Sequence, residues 1–168
     1  KKVASIGTLG INTYLKKTEV KNTTLDPISL NYHLKKIKKL NINNIILEAS
    51  SHGLKQNRLD GLKFDVGIFS NLSHDHLDYH KSYKDYLNSK LYLFEKLLKK
   101  KSTIITDFNI PEYKRIKNIS LKKKTKLITI LNKNSDLSVI SHQYLEEKQL
   151  LKIKYKKNFY SFRLNLIG

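Results

Sequence analysis

Two spacings of apolar residues alternate along the first two thirds of the chain. Short runs at 3–8, 45–47, 64–69 and 103–106 are too brief for helices and are rich in Val, Ile, Phe and Thr, so they predict strands. The run Ile45, Ile46, Leu47 has no polar alternation, which suits a parallel strand covered on both faces. After an irregular stretch through Leu25, Asp26 and Pro27 form a capping residue and a first-turn proline. Leu30, Leu34 and Ile37 then follow helical spacing, and the helix is expected to end near Leu40. Ser82, with Asp85 three positions on, reads as a capping box opening a second helix. Its apolar stripe is Tyr83, Tyr86, Leu87, Leu91, Phe94, Leu97 and Leu98. Strands separated by helices predict an α/β architecture, a mostly parallel sheet flanked by helices. From Leu127 the rhythm changes. Runs at 127–131, 137–141, 150–155 and 159–166, separated by polar turns, predict a C-terminal antiparallel meander. The expected division is an α/β part over 1–125 and an antiparallel part over 126–168.

Composition narrows the class. The chain has 168 residues, 39% of them hydrophobic, and roughly 70% of the unfolded surface can be buried at that size, so a packed core is expected and disorder is excluded. No apolar run of about 18 residues and no signal-like leader occurs, so neither a membrane span nor secretion is expected, and the cytoplasm is the expected compartment. With no Cys, a disulfide framework, a zinc ribbon and thiol catalysis are excluded. The absence of Met and the strand-like end at Ile167 and Gly168 lead us to expect a piece of a longer chain. The net charge of +19 invites a nucleic-acid reading. Against it, 30 of the 33 basic residues are Lys and only Arg58, Arg115 and Arg163 are Arg, whereas base and phosphate recognition favours the guanidinium fork. The lysine runs at 35–39, 99–101 and 122–124 are expected at or near helix ends or in loops, as solvated surface.

Three features carry chemistry. Glu48 ends a predicted strand and leads into Ala-Ser-Ser-His-Gly-Leu-Lys-Gln-Asn-Arg58, where open α/β sheets bind ligands; the competing explanation is that Glu48 merely caps or salt-bridges Arg58. Asn71 to His80 holds His74, Asp75, His76, Asp78 and His80 just past another strand, a set of donors better suited to Mg²⁺ than to structural zinc. Lys90 falls inside the apolar stripe of the second helix, where an ammonium must snorkel, pair or lose its proton.

These strings resemble the central domain of the Mur ligase family, in its tripeptide-forming branch. The residues that carry the resemblance are Thr8-Leu-Gly10, Asn22-Thr-Thr24, Glu48-Ala-Ser-Ser-His-Gly-Leu54 with Gln56 and Arg58, Asn71-Leu-Ser73, Asp75-His-Leu-Asp-Tyr-His80, and Lys90 fourteen residues after His76. The resemblance implies a P-loop NTPase-like fold and an ATP-dependent ligase that adds a diamino acid, meso-diaminopimelate or L-lysine, to UDP-MurNAc-L-Ala-D-Glu through an acyl phosphate, with two Mg²⁺. It implies that Glu48, His76 and Lys90, the last as a carbamate, hold metal and form the catalytic set. Asn22, Thr23, Thr24, Ser50, Gln56 and Arg58 would hold the muramoyl nucleotide. A monomer that binds neither nucleic acid nor membrane is expected. The family's phosphate loop, uridine-binding domain and C-terminal domain have no counterpart in these 168 residues, so this piece alone is expected to be inactive. Thr106-Asp-Phe-Asn109 stands where the family has Asn-Ala-Asp-Asp near the adenine, and His74 and Lys81 replace an Arg and a Gly. A sister Mur ligase, or a non-catalytic basic remnant that binds polyanions, remains as an alternative.

Overall fold

The computed structural model describes residues 2–72, 78–145 and 148–165, and the chain divides into two units, Lys1–Lys63 with Ser73–Leu97 and Phe64–Leu72 with Leu98–Gly168. Among the described residues no helix is long and apolar enough to cross a membrane.

The first unit is organised on β1 (Val3–Gly7), whose alternation buries Ala4 and Ile6. β1 pairs parallel with β4 (Asn44–Leu47) and antiparallel with β2 (Gly10–Asn12), which pairs with β3 (Lys17–Thr18). The stretch expected to be irregular therefore contains a small hairpin. Gly10 permits it: its φ is +89°, and a Cβ there would stand 2.5 Å from the Thr18 carbonyl oxygen. Helix α1 (Pro27–Lys39) begins and ends as the sequence predicts. The Asp26 carboxylate accepts from the N–H groups of Ile28 and Ser29, Leu30 and Ile37 are buried, and Lys36, Lys38 and Lys39 occupy the last turn. β4 corrects one expectation. Instead of lying covered on both faces, Ile45 is 39% and Ile46 66% exposed, because β4 is an edge strand in the order β3-β2-β1-β4.

Helix α2 (Ser51–Lys55) was hidden inside the site-like string, and helix α3 (Tyr83–Tyr92) follows the predicted stripe. Tyr86, Leu87, Leu91, Phe94 and Leu97 are buried, while Tyr83 is exposed. The capping box is one-sided: Ser82 Oγ accepts from Asp85 N–H, but the Asp85 carboxylate turns to the Lys81 N–H and to Lys55. Past Tyr92 the helix widens into a π turn, Leu93–Leu97.

The second unit holds β5 (Phe64–Phe69), β6 (Leu98–Asp107), α3's successor α4 (Tyr113–Lys123), β7 (Lys126–Leu131), β8 (Leu137–Leu145), β9 (Lys148–Tyr155) and β10 (Asn158–Leu164). Strands β5 to β8 pair in parallel, and only β8-β9-β10 are antiparallel. The antiparallel part thus starts a strand later than the sequence suggests. The turn after β7 does not reverse the chain: β8 continues in the same direction and overlaps β7 only at Ile130 and Leu131. Asp136 locks this turn, its carboxylate accepting from Thr129 N–H and Oγ1 while its own N–H donates to Thr129 Oγ1. Lys99, Lys100 and Lys101 follow closely on the π turn that ends at Leu97 and lie within β6; the pairing with β5 shifts register here, Lys101 takes φ +59°, and Lys99 pairs with Asp65 at 2.8 Å.

Candidate functional site

The site grows from the carboxyl end of β1 and β4. The Glu48 N–H donates to the Ile6 carbonyl at 2.8 Å, continuing the parallel ladder past β4, and its side chain turns back over β1. There Oε2 accepts from the Thr8 N–H at 2.8 Å. Gly7 makes this possible, since a Cβ on it would lie 2.5 Å from Glu48 Oε2 and 2.8 Å from Glu48 Cβ. Among the described residues no ion pair joins Glu48 to Arg58, so the salt-bridge explanation fails. The carboxylate is exposed and oriented by a backbone donor.

Next to it lies a knot around Thr24, a side chain only 1% exposed. Thr24 Oγ1 donates to the Glu48 carbonyl at 2.9 Å and accepts from Ser50 N–H at 2.8 Å and Ser50 Oγ at 3.1 Å, which uses every hydrogen-bonding direction of a hydroxyl. Ser50 Oγ in turn accepts from Gly53 N–H at 3.1 Å, capping α2. α2 can approach this closely because residue 53 has no side chain: a Cβ would stand 2.5 Å from Thr24 Cβ. From the far end of α2, Arg58 donates from Nη1 to the Thr24 carbonyl at 2.7 Å and from Nε to Gln56 Oε1 at 2.8 Å. Gln56 Nε2 donates to Tyr79 Oη at 2.9 Å. Thr23 Oγ1 lies 3.0 Å from Thr8 Oγ1, which closes the ring back to the strand that holds Glu48.

The structure therefore brings Thr23, Thr24, Glu48, Ser50, Gln56 and Arg58 into one hydrogen-bonded assembly. It also sorts them. The Thr24 hydroxyl is buried and its hydrogen bonds are made inside the protein, so this side chain supports the assembly from within. Among the described residues, two of the five N–H donors of Arg58 are engaged and no carboxylate pairs with it. Asn22 is exposed beside Thr23. Sequence reasoning missed Gly7, beside the string at Thr8, and gave Gly53, inside the string from Glu48 to Leu54, no task of its own; only the measured approaches give either glycine meaning.

On α3, Lys90 is half-buried, and its Nζ sits 5.1 Å from the centre of the Tyr86 ring. His76 lies outside the described residues, as do His74 and Asp75. Among the described residues no three His, Asp or Glu side chains gather to hold a metal ion. The chemistry of Glu48 fits one place in such a site: an exposed carboxylate, fixed in direction through one oxygen, is a ready ligand for a hard cation. In the second unit Thr106 is fully buried, and Asn109 Oδ1 accepts from Asn132 Nδ2 at 3.0 Å.

An exposed carboxylate just past the carboxyl end of β4, with the Arg58 guanidinium brought near it by α2, lies where α/β domains bind ligands. The chain belongs to the Mur ligase family: the model of the Mur ligase middle domain matches residues 1–168. Similar proteins are named UDP-N-acetylmuramoyl-L-alanyl-D-glutamate–2,6-diaminopimelate ligase. The one from Zymomonas mobilis is 34% identical over 167 residues, 99% of this chain and 34% of its own length. The one from a Chelativorans strain is 33% identical over 165 residues, 98% of this chain and 34% of its own. A solved structure of a ligase with the same name aligns at a TM-score of 0.85 and 26% identity, over 100% of this chain and 34% of its own. The chain spans about a third of the length of these relatives.

Proposed function

We propose that the protein carrying this chain is an ATP-dependent ligase that joins 2,6-diaminopimelate to UDP-MurNAc-L-Ala-D-Glu in peptidoglycan synthesis. The choice of diaminopimelate over L-lysine rests on the names of the relatives. In this reaction the free carboxylate of the dipeptide takes the γ-phosphoryl group of ATP, giving an acyl phosphate and ADP. The amine of the diamino acid then attacks the acyl carbon, and phosphate leaves as the amide forms. Two Mg²⁺ would neutralise charge on the phosphoryl oxygens, held by Glu48, by His76 and by Lys90 after its amine adds CO₂ and loses a proton.

The residues of this chain have distinct tasks in that reading. Thr8 N–H keeps the Glu48 carboxylate aimed outward, and Gly7 leaves it room. Arg58, pinned by Thr24 and Gln56, offers its remaining donors to an anionic group of the muramoyl nucleotide, together with Asn22, Thr23, Gln56 and the backbone around Ser50. The observation that carries the proposal is the exposed Glu48 carboxylate, oriented by a backbone donor and not neutralised by the neighbouring Arg58.

The test uses the complete gene product. Phosphate release from ATP should require both the muramoyl dipeptide nucleotide and diaminopimelate, and amide product should appear with it. Lys90→Ala should lose most of this activity and regain part of it when a short carboxylic acid is supplied in place of the carbamate. Release of phosphate without either substrate, or full activity in Lys90→Ala, would refute the assignment.

A further inference from the structure

His80 takes no part in the reaction described above, yet it is 1% exposed and is held on every described side. Its Nε2 lies 3.0 Å from Ser51 Oγ, the first residue of α2 and the neighbour of Ser50. Its ring stacks on Tyr86 of α3, with centroids 4.9 Å apart and planes 23° from parallel. Tyr86 is one helical turn before Lys90, whose Nζ lies over the same ring at 5.1 Å. A continuous row of contacts thus runs from Ser51 through His80 and Tyr86 to Lys90. A second tie runs beside it: Lys55, one turn after Ser51 on α2, pairs with Asp85 in the first turn of α3.

We propose that His80 is a positioning residue of the ligase reaction, clamping α2 to α3 through Ser51 so that the Ser50–Arg58 arm and Lys90 keep a fixed relative placement. The inference rests on the ligase reading above. His80 Nδ1 supports it. That atom is buried without a hydrogen-bond partner among the described residues, since Asp85 Oδ2 stands 3.6 Å away and is engaged by Lys55. A leucine or phenylalanine would fill the same space between Tyr79 and Tyr86 and leave no orphaned nitrogen, so packing does not explain an imidazole here. The bond to Ser51 does. Ser51 is buried at 3% exposed, which excludes it as a nucleophile and leaves it as an anchor.

The experiment measures steady-state ligation by the complete gene product, varying the muramoyl nucleotide and ATP separately. His80→Leu should still fold, with a lowered thermal midpoint because the buried Ser51 hydroxyl loses its bond to the imidazole, leave KM for ATP unchanged and lower kcat about tenfold to a hundredfold, the range that a displacement of about 1 Å between reacting groups produces. Ser51→Ala should lower kcat by a similar factor, and the double variant should be no worse than either single one. His80→Gln, whose amide reaches the place of Nε2, should recover most of the rate. If His80→Leu fails to fold, Ser51→Ala and His80→Gln carry the test alone. An active wild type with unchanged kcat in His80→Leu or Ser51→Ala would overturn the clamp and leave the ligase reading standing. An inactive wild type would overturn both.

Discussion

Gly53→Ala separates two opposed effects. Gly53 lies inside α2, where helix propensity alone makes Ala better than Gly by about 0.5–1 kcal/mol. Against this, the added Cβ would meet Thr24 Cβ at 2.5 Å, Cγ2 at 2.6 Å and Oγ1 at 2.9 Å. Thr24 cannot turn aside cheaply, because it is 1% exposed and its hydroxyl bonds to Glu48 and twice to Ser50. Overpacking costs about 1–3 kcal/mol, and each hydrogen bond lost as Thr24 shifts costs about 1 kcal/mol more. The clash wins, with a net loss of about 2 kcal/mol. With a urea m-value of about 2 kcal/mol/M, the unfolding midpoint followed by circular dichroism should fall by about 1 M. The same substitution should raise KM for the muramoyl nucleotide, since Arg58 is anchored on the Thr24 carbonyl. A midpoint equal to or above that of the parent would mean that α2 does not press on Thr24, and the account of the knot would be wrong.

Two further outcomes test other parts of the first unit. Gly7→Ala should swing the Glu48 carboxylate off the Thr8 N–H and lower ligation about tenfold to a hundredfold, as the loss of a ligand-orienting contact does, and it should also lower the urea midpoint, because the clash reaches Glu48 Cβ, which cannot move without its backbone; unchanged kcat would show that the direction of Glu48 is unimportant. The Lys55 hydrogen bond, with the Lys81 N–H, holds the Asp85 carboxyl below its ordinary value of 3.8. A lowered folded value means that Asp85 contributes stability at pH above about 4 and loses it as the pH falls through the folded value. Midpoints measured from pH 6 down to pH 2 should therefore decline less steeply in Asp85→Asn than in the parent, and identical slopes would rule the pair out as an acid-sensitive tie.

Local patterns were legible where a few neighbouring residues decide the outcome. Asp26 and Pro27 start α1, Ser82 starts α3, and the stripe from Tyr86 to Leu97 is buried, because caps and helical spacing act within one or two turns. The strings around Glu48 and Arg58 marked the site for the same reason: a strand end, a carboxylate and a run of small residues are contiguous in the chain. Pairing direction was not legible. The turn Asn132 to Ser135 looks like a hairpin, and only the placement of β8 beside the last two residues of β7 shows that the strands are parallel. Exposure of Ile45 and Ile46 was equally hidden, since an apolar run says that a strand forms but not whether it stands at a sheet's edge.

The sequence by itself determined the main strands, the helices α1 and α3 and which side chains are chemically suited to the candidate site, but not the β2-β3 hairpin or α2. Only the tertiary structure decided what each side chain does there. Thr24 and Arg58 carry equal weight as letters, but long-range approach buries one with its hydroxyl fully bonded and leaves the other with donors to offer. Gly7, Gly53 and His80 acquire meaning only from residues 29 to 41 positions away in the chain: Glu48 and Thr24, which stand 2.5 Å from where a Cβ on the two glycines would lie, and Ser51, 3.0 Å from His80 Nε2. Such contacts depend on how separate elements pack, and no local propensity encodes that distance.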